Sequence, residues 1–191
     1  MKDVLISIQP RWCKLIANGE KIVEVRKTKP KLETPFKVYI YMTKGKPKFE
    51  QSAFCEDISN GKVIGEFVCD DITKILNRGS SFIAEDRSYC ELQTIAWGSC
   101  LDFVDMKKYF GNKDGYAWHI SDLVIYDKPK ELSEFAMLCE GLKPYQCDKC
   151  EYSHTESNES IGVYHECCCN NLKPLKRPPQ SWCYVYERSG K

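Results

Sequence analysis

The apolar positions of this chain fall into short runs that change period often. Val4-Leu5-Ile6-Ser7-Ile8 predicts a strand, and Pro10 then opens a short helix at the one place where its missing N–H is harmless. Trp12, Leu15 and Ile16 stand at i, i+3, i+4 and give that helix one apolar face, while Asn18-Gly19 ends it. Residues 20–27 alternate as a second strand, with Lys21, Val23 and Val25 on one face and Ile22, Glu24 and Arg26 on the other. Phe36–Thr43 is a third strand, with tyrosines on one face and Val38, Ile40 and Met42 on the other. A polar excursion from Gly45 to Gly61 leads to a strand over Lys62–Asp71 with a mixed pattern around Gly65. Beyond it, Asn77–Ser81 is a loop and Ser88–Ile95 a short helix. Asp102 caps a helix whose stripe is Phe103, Met106 and Phe110 and whose stop is Gly111-Asn112. Tyr116–Tyr126 is a strand with a bulge near Ser121-Asp122, followed by a turn at Asp127-Lys128-Pro129. Ser181–Glu187 is the final strand.

Short strands joined by turns or single helices, without a βαβ rhythm, predict an α+β fold. Its expected form is a small, mostly antiparallel β-barrel with a few flanking helices across its openings. A length of 191 residues suits a single domain spanning 1–191. No apolar run approaches the ~20 residues of a membrane span, so no membrane association is expected. The first ten residues, with an acid at Asp3, do not form a secretory signal, and a cytoplasmic protein is the expectation. Charge changes the picture modestly. Residues 1–50 carry twelve Lys/Arg against five Asp/Glu, and the other 141 residues carry sixteen against twenty-two. A basic N-terminal third points toward phosphate-bearing partners, against the alternative of a solvated lysine-rich surface.

The densest local pattern is Gly19-x-Lys21-x-x-Glu24-x-Arg26, just after Ser7-Ile8-Gln9-Pro10-x-Trp12. Glu24 and Arg26 project from one side of a strand, and charges withdrawn from water need partners, which each supplies to the other. In a cleft, Arg26 would recognise a phosphate or base edge and Glu24 would accept from a base amino group. The competing reading is a structural ion pair closing one end of the barrel. Lys21 either reaches the cleft mouth or is plain surface charge. Trp12 and Trp118 are candidates for stacking on a base, or for the core. His119 is a surface histidine rather than a catalytic one.

Here the chain resembles the ASCH domain of the PUA-like superfamily. Gly115-Tyr116-Ala117-Trp118-His119-Ile120 and Arg177-Pro178-Pro179-Gln180-Ser181-Trp182 look like that family's closing strands, so the resemblance covers 1–72, 101–131 and 177–188. It implies a cleft for RNA or a nucleotide in a PUA-like barrel, without a cofactor. Trp12, Lys21, Glu24, Arg26 and Trp118 are the nucleic-acid-binding candidates. Some ASCH-like proteins are amidohydrolases acting on acylated cytidine, with a threonine nucleophile three residues after the lysine. Glu24 stands at that position here, so an enzyme would have to use Lys21 with Glu24 as a general base.

Cysteine carries the last signal. Of twelve, seven lie between 139 and 183, and the scattered remainder suits buried, reduced thiols. Without a secretory signal, Cys147-x-x-Cys150 reads as a zinc knuckle rather than part of a disulfide framework. Sixteen residues lie between Cys150 and Cys167, and Cys167 with Cys169 is the favoured second pair, with Cys168, His154 and His165 as rivals. The expectation is a structural Zn²⁺ in an insertion at about 137–176. That insertion is also a candidate contact surface for a protein partner, which makes an interaction adaptor the third functional reading.

Overall fold

A computed structural model describes residues 2–45, 60–86, 89–138 and 172–187. β1 (Asp3–Ile8) leads into α1 (Pro10–Ala17), which ends as the sequence predicts, with Gly19 at φ +75°. Cys13 and Ile16 are the fully buried positions of α1, and Trp12 and Leu15 are half-buried at its edge. β2 (Val23–Arg26) is shorter than the alternation over 20–27 predicts. The Glu20 and Lys21 amides both donate to the Leu15 carbonyl (2.9 and 3.0 Å), so the end of α1 claims these residues before strand pairing begins.

The chain continues through β3 (Phe36–Met42), β4 (Val63–Cys69), β5 (Ile72–Asn77) and β6 (Phe82–Ala84). The loop predicted at Asn77–Ser81 is the turn of the β5–β6 hairpin, closed by Arg78 N–H donating to Ser81 O at 2.9 Å. α2 (Tyr89–Ser99) extends past the predicted Ile95. α3 (Phe103–Phe110) is capped by the Asp102 carboxylate, which accepts from the Asp105 amide at 2.7 Å. Met106 and Phe110 of its predicted stripe are buried, whereas Phe103 is half exposed and leans on Phe82.

β7 (Gly115–His119) and β8 (Ser121–Lys130) follow, broken at Ile120, with Asp122 at φ +45°. β8 absorbs the turn predicted at Asp127–Pro129. It is an edge strand, where a proline's missing donor leaves no ladder partner unsatisfied. A single 3₁₀ turn (Leu132–Glu134) precedes β9 (Phe135–Leu138), and β10 (Leu172–Pro174) and β11 (Trp182–Glu187) complete the described elements. The polar excursion around 46–59 lies outside them.

Two sheets result, one in the order β10-β9-β11-β1-β3-β4-β8 and the other β2-β7-β5-β6. Every pairing is antiparallel except β1 with β3, which are joined through α1 and β2. The predicted mixture of strands and a few helices is present, but neither sheet closes into the expected barrel among the described residues. The reason lies in two continuous strand ribbons. β4 runs into β5 across Asp70-Asp71, and β7 into β8 across Ile120, so the pairs β4/β8 and β5/β7 belong to different sheets. His119 N–H donates to Asp71 O (3.0 Å) at the crossing.

The larger sheet is covered on both faces. Val38, Ile40 and Met42 pack with Ile6, Ile8, Ile16 and Trp118, while Tyr39 and Tyr41 pack with Leu5, Phe135 and Val185, as the period of β3 predicts. Gly65 explains the irregular pattern of β4, since a Cβ there would sit 2.3 Å from the Val124 carbonyl oxygen. The smaller sheet turns Val23, Val25 and Ala117 toward α2 and α3.

Candidate functional site

Across the β2–β7 ladder Glu24 is opposite Trp118 and Arg26 opposite Tyr116. The valines of β2 face α2 and α3, which sends Glu24 and Arg26 to the other side, toward the core that holds Trp118. The same-side placement read from the sequence therefore yields an ion pair, with Arg26 Nη2 2.9 Å from Glu24 Oε1. Arg26 Nη2 also donates to Ser7 O at 2.7 Å and Nη1 to Ser181 Oγ at 3.4 Å, so one guanidinium ties β2 to β1 and to the start of β11.

Lys21 joins them from outside the strand. Its Nζ donates to Val23 O and Ser99 O, both at 2.8 Å, and stands 3.3 Å from Glu24 Oε2. The expectation that Lys21 lies at a cleft mouth or on the surface is corrected: it is only 3% exposed. Its place in the turn that follows α1 frees it from strand alternation, and two carbonyls with one carboxylate satisfy its three donors. Glu24 and Arg26 are 6% and 7% exposed, so the three charges are largely withdrawn from water, with the partly exposed Trp12 and Tyr109 at their edge.

Trp12 covers this cluster from α1, with Lys21 Nζ 5.2 Å from its ring centroid and the Arg11 guanidinium 3.9 Å away on the same ring. Trp118 is fully buried, edge-on to Phe36 and 6.0 Å from the Trp182 ring. The Cys13 thiol is pushed up to about 12, by burial first and by the Glu24 charge second, which keeps it protonated and inert. Burial likewise pushes Cys69 to about 12, in line with the reading of the scattered cysteines as apolar fillers, and pushes Cys183, from the C-terminal group, to about 11.

Two features of the cluster set its chemistry. Two cations share one carboxylate, which leaves an excess of positive charge in a buried place. Moreover, Arg26 Nε and Trp118 Nε1 are buried N–H donors without a protein acceptor. Both features call for oxygen acceptors or negative charge.

Sequence reasoning missed four contributors, Ser7, Ser99, Ser181 and Tyr109. The three serines act through a main-chain carbonyl or a single hydroxyl, for which composition gives no signal. Tyr109 is on α3, 38% exposed, and close enough to Arg26 for that charge to act on its hydroxyl. Burial raises its hydroxyl above the ordinary tyrosine value, the neighbouring Arg26 charge opposing the shift.

His119 is half exposed and paired with Asp70, Nδ1 to Oδ1 2.6 Å, as a surface histidine should be. An open depression of about 470 Å³ lies elsewhere, beside β5 and β7, where Lys29, Thr73, Lys74, Glu85 and Tyr116 line part of it. Among the described residues no group of three or more His, Cys, Asp or Glu could hold a metal ion. Cys147, Cys150, His154, His165, Cys167, Cys168 and Cys169 lie outside the described residues. No helix among the described residues is long and apolar enough to cross a membrane.

A strand, a short helix, the turn that carries Lys21 and a strand that carries Glu24 and Arg26 into one buried cluster define the class of this domain. Residues 6–119 match the ASCH domain, and the chain belongs to the ASCH domain family, which is generally associated with RNA binding. Crystal structures of the ASCH protein from Zymomonas mobilis are similar to it. A tyrosine-to-phenylalanine variant of that protein aligns with a TM-score of 0.45 at 20% identity, over 69% of this chain and 77% of that one. A serine-to-alanine variant gives 0.45 at 20% identity over 68% and 74%, and the unsubstituted protein 0.42 at 19% over 68% and 73%. No curated protein matches the chain.

Proposed function

We propose that this protein binds RNA or a modified nucleotide at the Lys21–Glu24–Arg26 cluster, with Arg26 as the reading group. The observation that carries this is the buried excess of positive charge together with the unpartnered Arg26 Nε and Trp118 Nε1 donors. A phosphate or a base carbonyl supplies the acceptor that such donors lack. Lys21 and Glu24 are positioning residues. Lys21 spends its donors on Val23 O, Ser99 O and Glu24, and Glu24 holds the Arg26 fork. Trp12 and Tyr109, both partly exposed at the edge of the cluster, offer the faces by which a base would enter.

The same contacts argue against the amidohydrolase reading. Both Glu24 oxygens are engaged by cations, and the lysine that would stabilise a developing oxyanion has its donors filled. The test is to incubate the purified protein with single-stranded RNA and, separately, with acylated cytidine. Retention of RNA without turnover supports binding, and hydrolysis above buffer overturns it.

We further propose that the segment at about 137–176 carries a structural Zn²⁺ held by Cys147 and Cys150 with two later ligands, Cys167 and Cys169 being favoured. The C-x₂-C spacing and the cysteine triplet support it, because two thiolate pairs complete a tetrahedral site. Elemental analysis of reduced protein, purified without chelator, should find about one zinc per chain. Folded protein free of zinc would reject the proposal.

A further inference from the structure

Directly after Arg26 the chain reads Lys27-Thr28-Lys29-Pro30-Lys31, with all three lysines exposed. None of them forms an ion pair among the described residues. Two of the ammonium groups lie near a tyrosine ring, and Lys31 is tied to a tyrosine through its backbone. Lys27 Nζ is 5.3 Å from the Tyr109 ring centroid and Lys29 Nζ is 5.8 Å from that of Tyr116. The Lys31 amide donates to the Tyr184 hydroxyl at 2.7 Å, and Lys2 Nζ lies 4.0 Å over the same Tyr184 ring.

This segment is not a loose basic tail. Trp182 Nε1 donates to Thr28 Oγ1 at 3.0 Å, Pro30 is buried, and the Lys31 contact fixes the far end to β11. The backbone is thus pinned at alternate residues while the ammonium groups stay in water. Its near end starts at the buried cluster, because Tyr109 touches both Lys27 and Arg26. Beside Lys29 and Tyr116 it borders the depression of about 470 Å³.

We infer that Lys27, Lys29 and Lys31, with Tyr109, Tyr116 and Tyr184, form a rail along which a single RNA strand leaves the Arg26 site. The lysines neutralise successive phosphates, and the tyrosine faces take unstacked bases. A duplex keeps its bases stacked and cannot use those faces, so the surface selects single strands. The inference rests on the RNA-binding reading above and adds the path of the strand outside the buried cluster.

The test uses the full chain, a fluorescent 12-nucleotide single-stranded RNA and the matching duplex, titrated from 0.1 to 1 M salt. Lys27→Gln, Lys29→Gln and Lys31→Gln combined remove three phosphate contacts, so the salt slope should fall by about two. That change amounts to roughly 100-fold weaker binding at 0.1 M salt, with an unchanged melting curve because all three side chains are exposed. Tyr116→Leu should cost about 10-fold at every salt concentration and leave the slope alone, since stacking releases no counterions. The duplex should bind more weakly than the single strand. A triple variant with wild-type affinity and slope would overturn the rail and leave RNA binding at Arg26 standing. Equal affinity for duplex and single strand would overturn it too. Wild-type protein that binds neither RNA would sink both readings. Phosphatidylserine vesicles bound as tightly as RNA, and released by the same three substitutions, would assign the surface to anionic lipid and reject the strand.

Discussion

Glu24→Gln is expected to destabilise the protein by about 3–5 kcal/mol, because it strips the one carboxylate that the described residues supply to a buried cluster that keeps both its cations. For a chain of this size that is a fall in melting temperature of roughly 6–20 °C. The loss arises mostly from what remains. Lys21 would still lie against Val23 O and Ser99 O, and Arg26 against Ser7 O, two positive charges without a counter-charge. Adding Lys21→Met should therefore restore part of the stability, and a double-mutant cycle reads that coupling directly. Thermal melts of the wild type, both single variants and the double variant check this. Simple addition of the two losses would show that the cluster does not act as one unit.

Trp118→Ala should cost a similar amount, about 3–5 kcal/mol, through a different mechanism. The ring is fully buried between Phe36 and Trp182 and packs against β1 and α1, so truncation leaves a large hole that flanking strands cannot fill. It also removes the ring that stands opposite Glu24 across the β2–β7 ladder. Chemical denaturation with the slope held in view measures the change. Trp12→Ala should cost clearly less, since that ring is partly exposed at the edge of the core.

Much of the site was legible because it depends on short-range order. Period two along β2 puts Glu24 and Arg26 on one side whatever the rest of the fold does, and the pair is there. Pro10 and Gly19 mark α1 by rules that involve only neighbouring residues. Lys21 failed the same reasoning for a local reason as well, since hydrogen bonds to Leu15 O carry the helix turn through it and cancel the alternation. One of its two carbonyl partners, Ser99 O, is 78 residues away, and no pattern in sequence announces a carbonyl. The open sheets were equally hidden. A barrel and two sheets share the same strand lengths, and the difference lies in where the ribbons cross at Asp70-Asp71 and Ile120. β9 and β10 escaped notice because strands of four and three residues carry too few positions to show a period. Pro129 suggested a turn, and only the edge position of β8 makes it tolerable in a strand.

The proposed reading of RNA by Arg26 is tested most directly by Arg26→Lys. Lysine keeps the positive charge beside Glu24 but cannot reach Glu24, Ser7 O and Ser181 Oγ together, and it has no counterpart of the Nε donor. Binding of single-stranded RNA should weaken about 10-fold or more, since a lost charged hydrogen bond is worth about 1.5–3 kcal/mol. The salt slope should stay as it is, because the charge is retained. Measured by fluorescence anisotropy on protein shown to be folded, that combination is the result expected. A folded Arg26→Lys protein that binds RNA as tightly as the wild type would contradict the account.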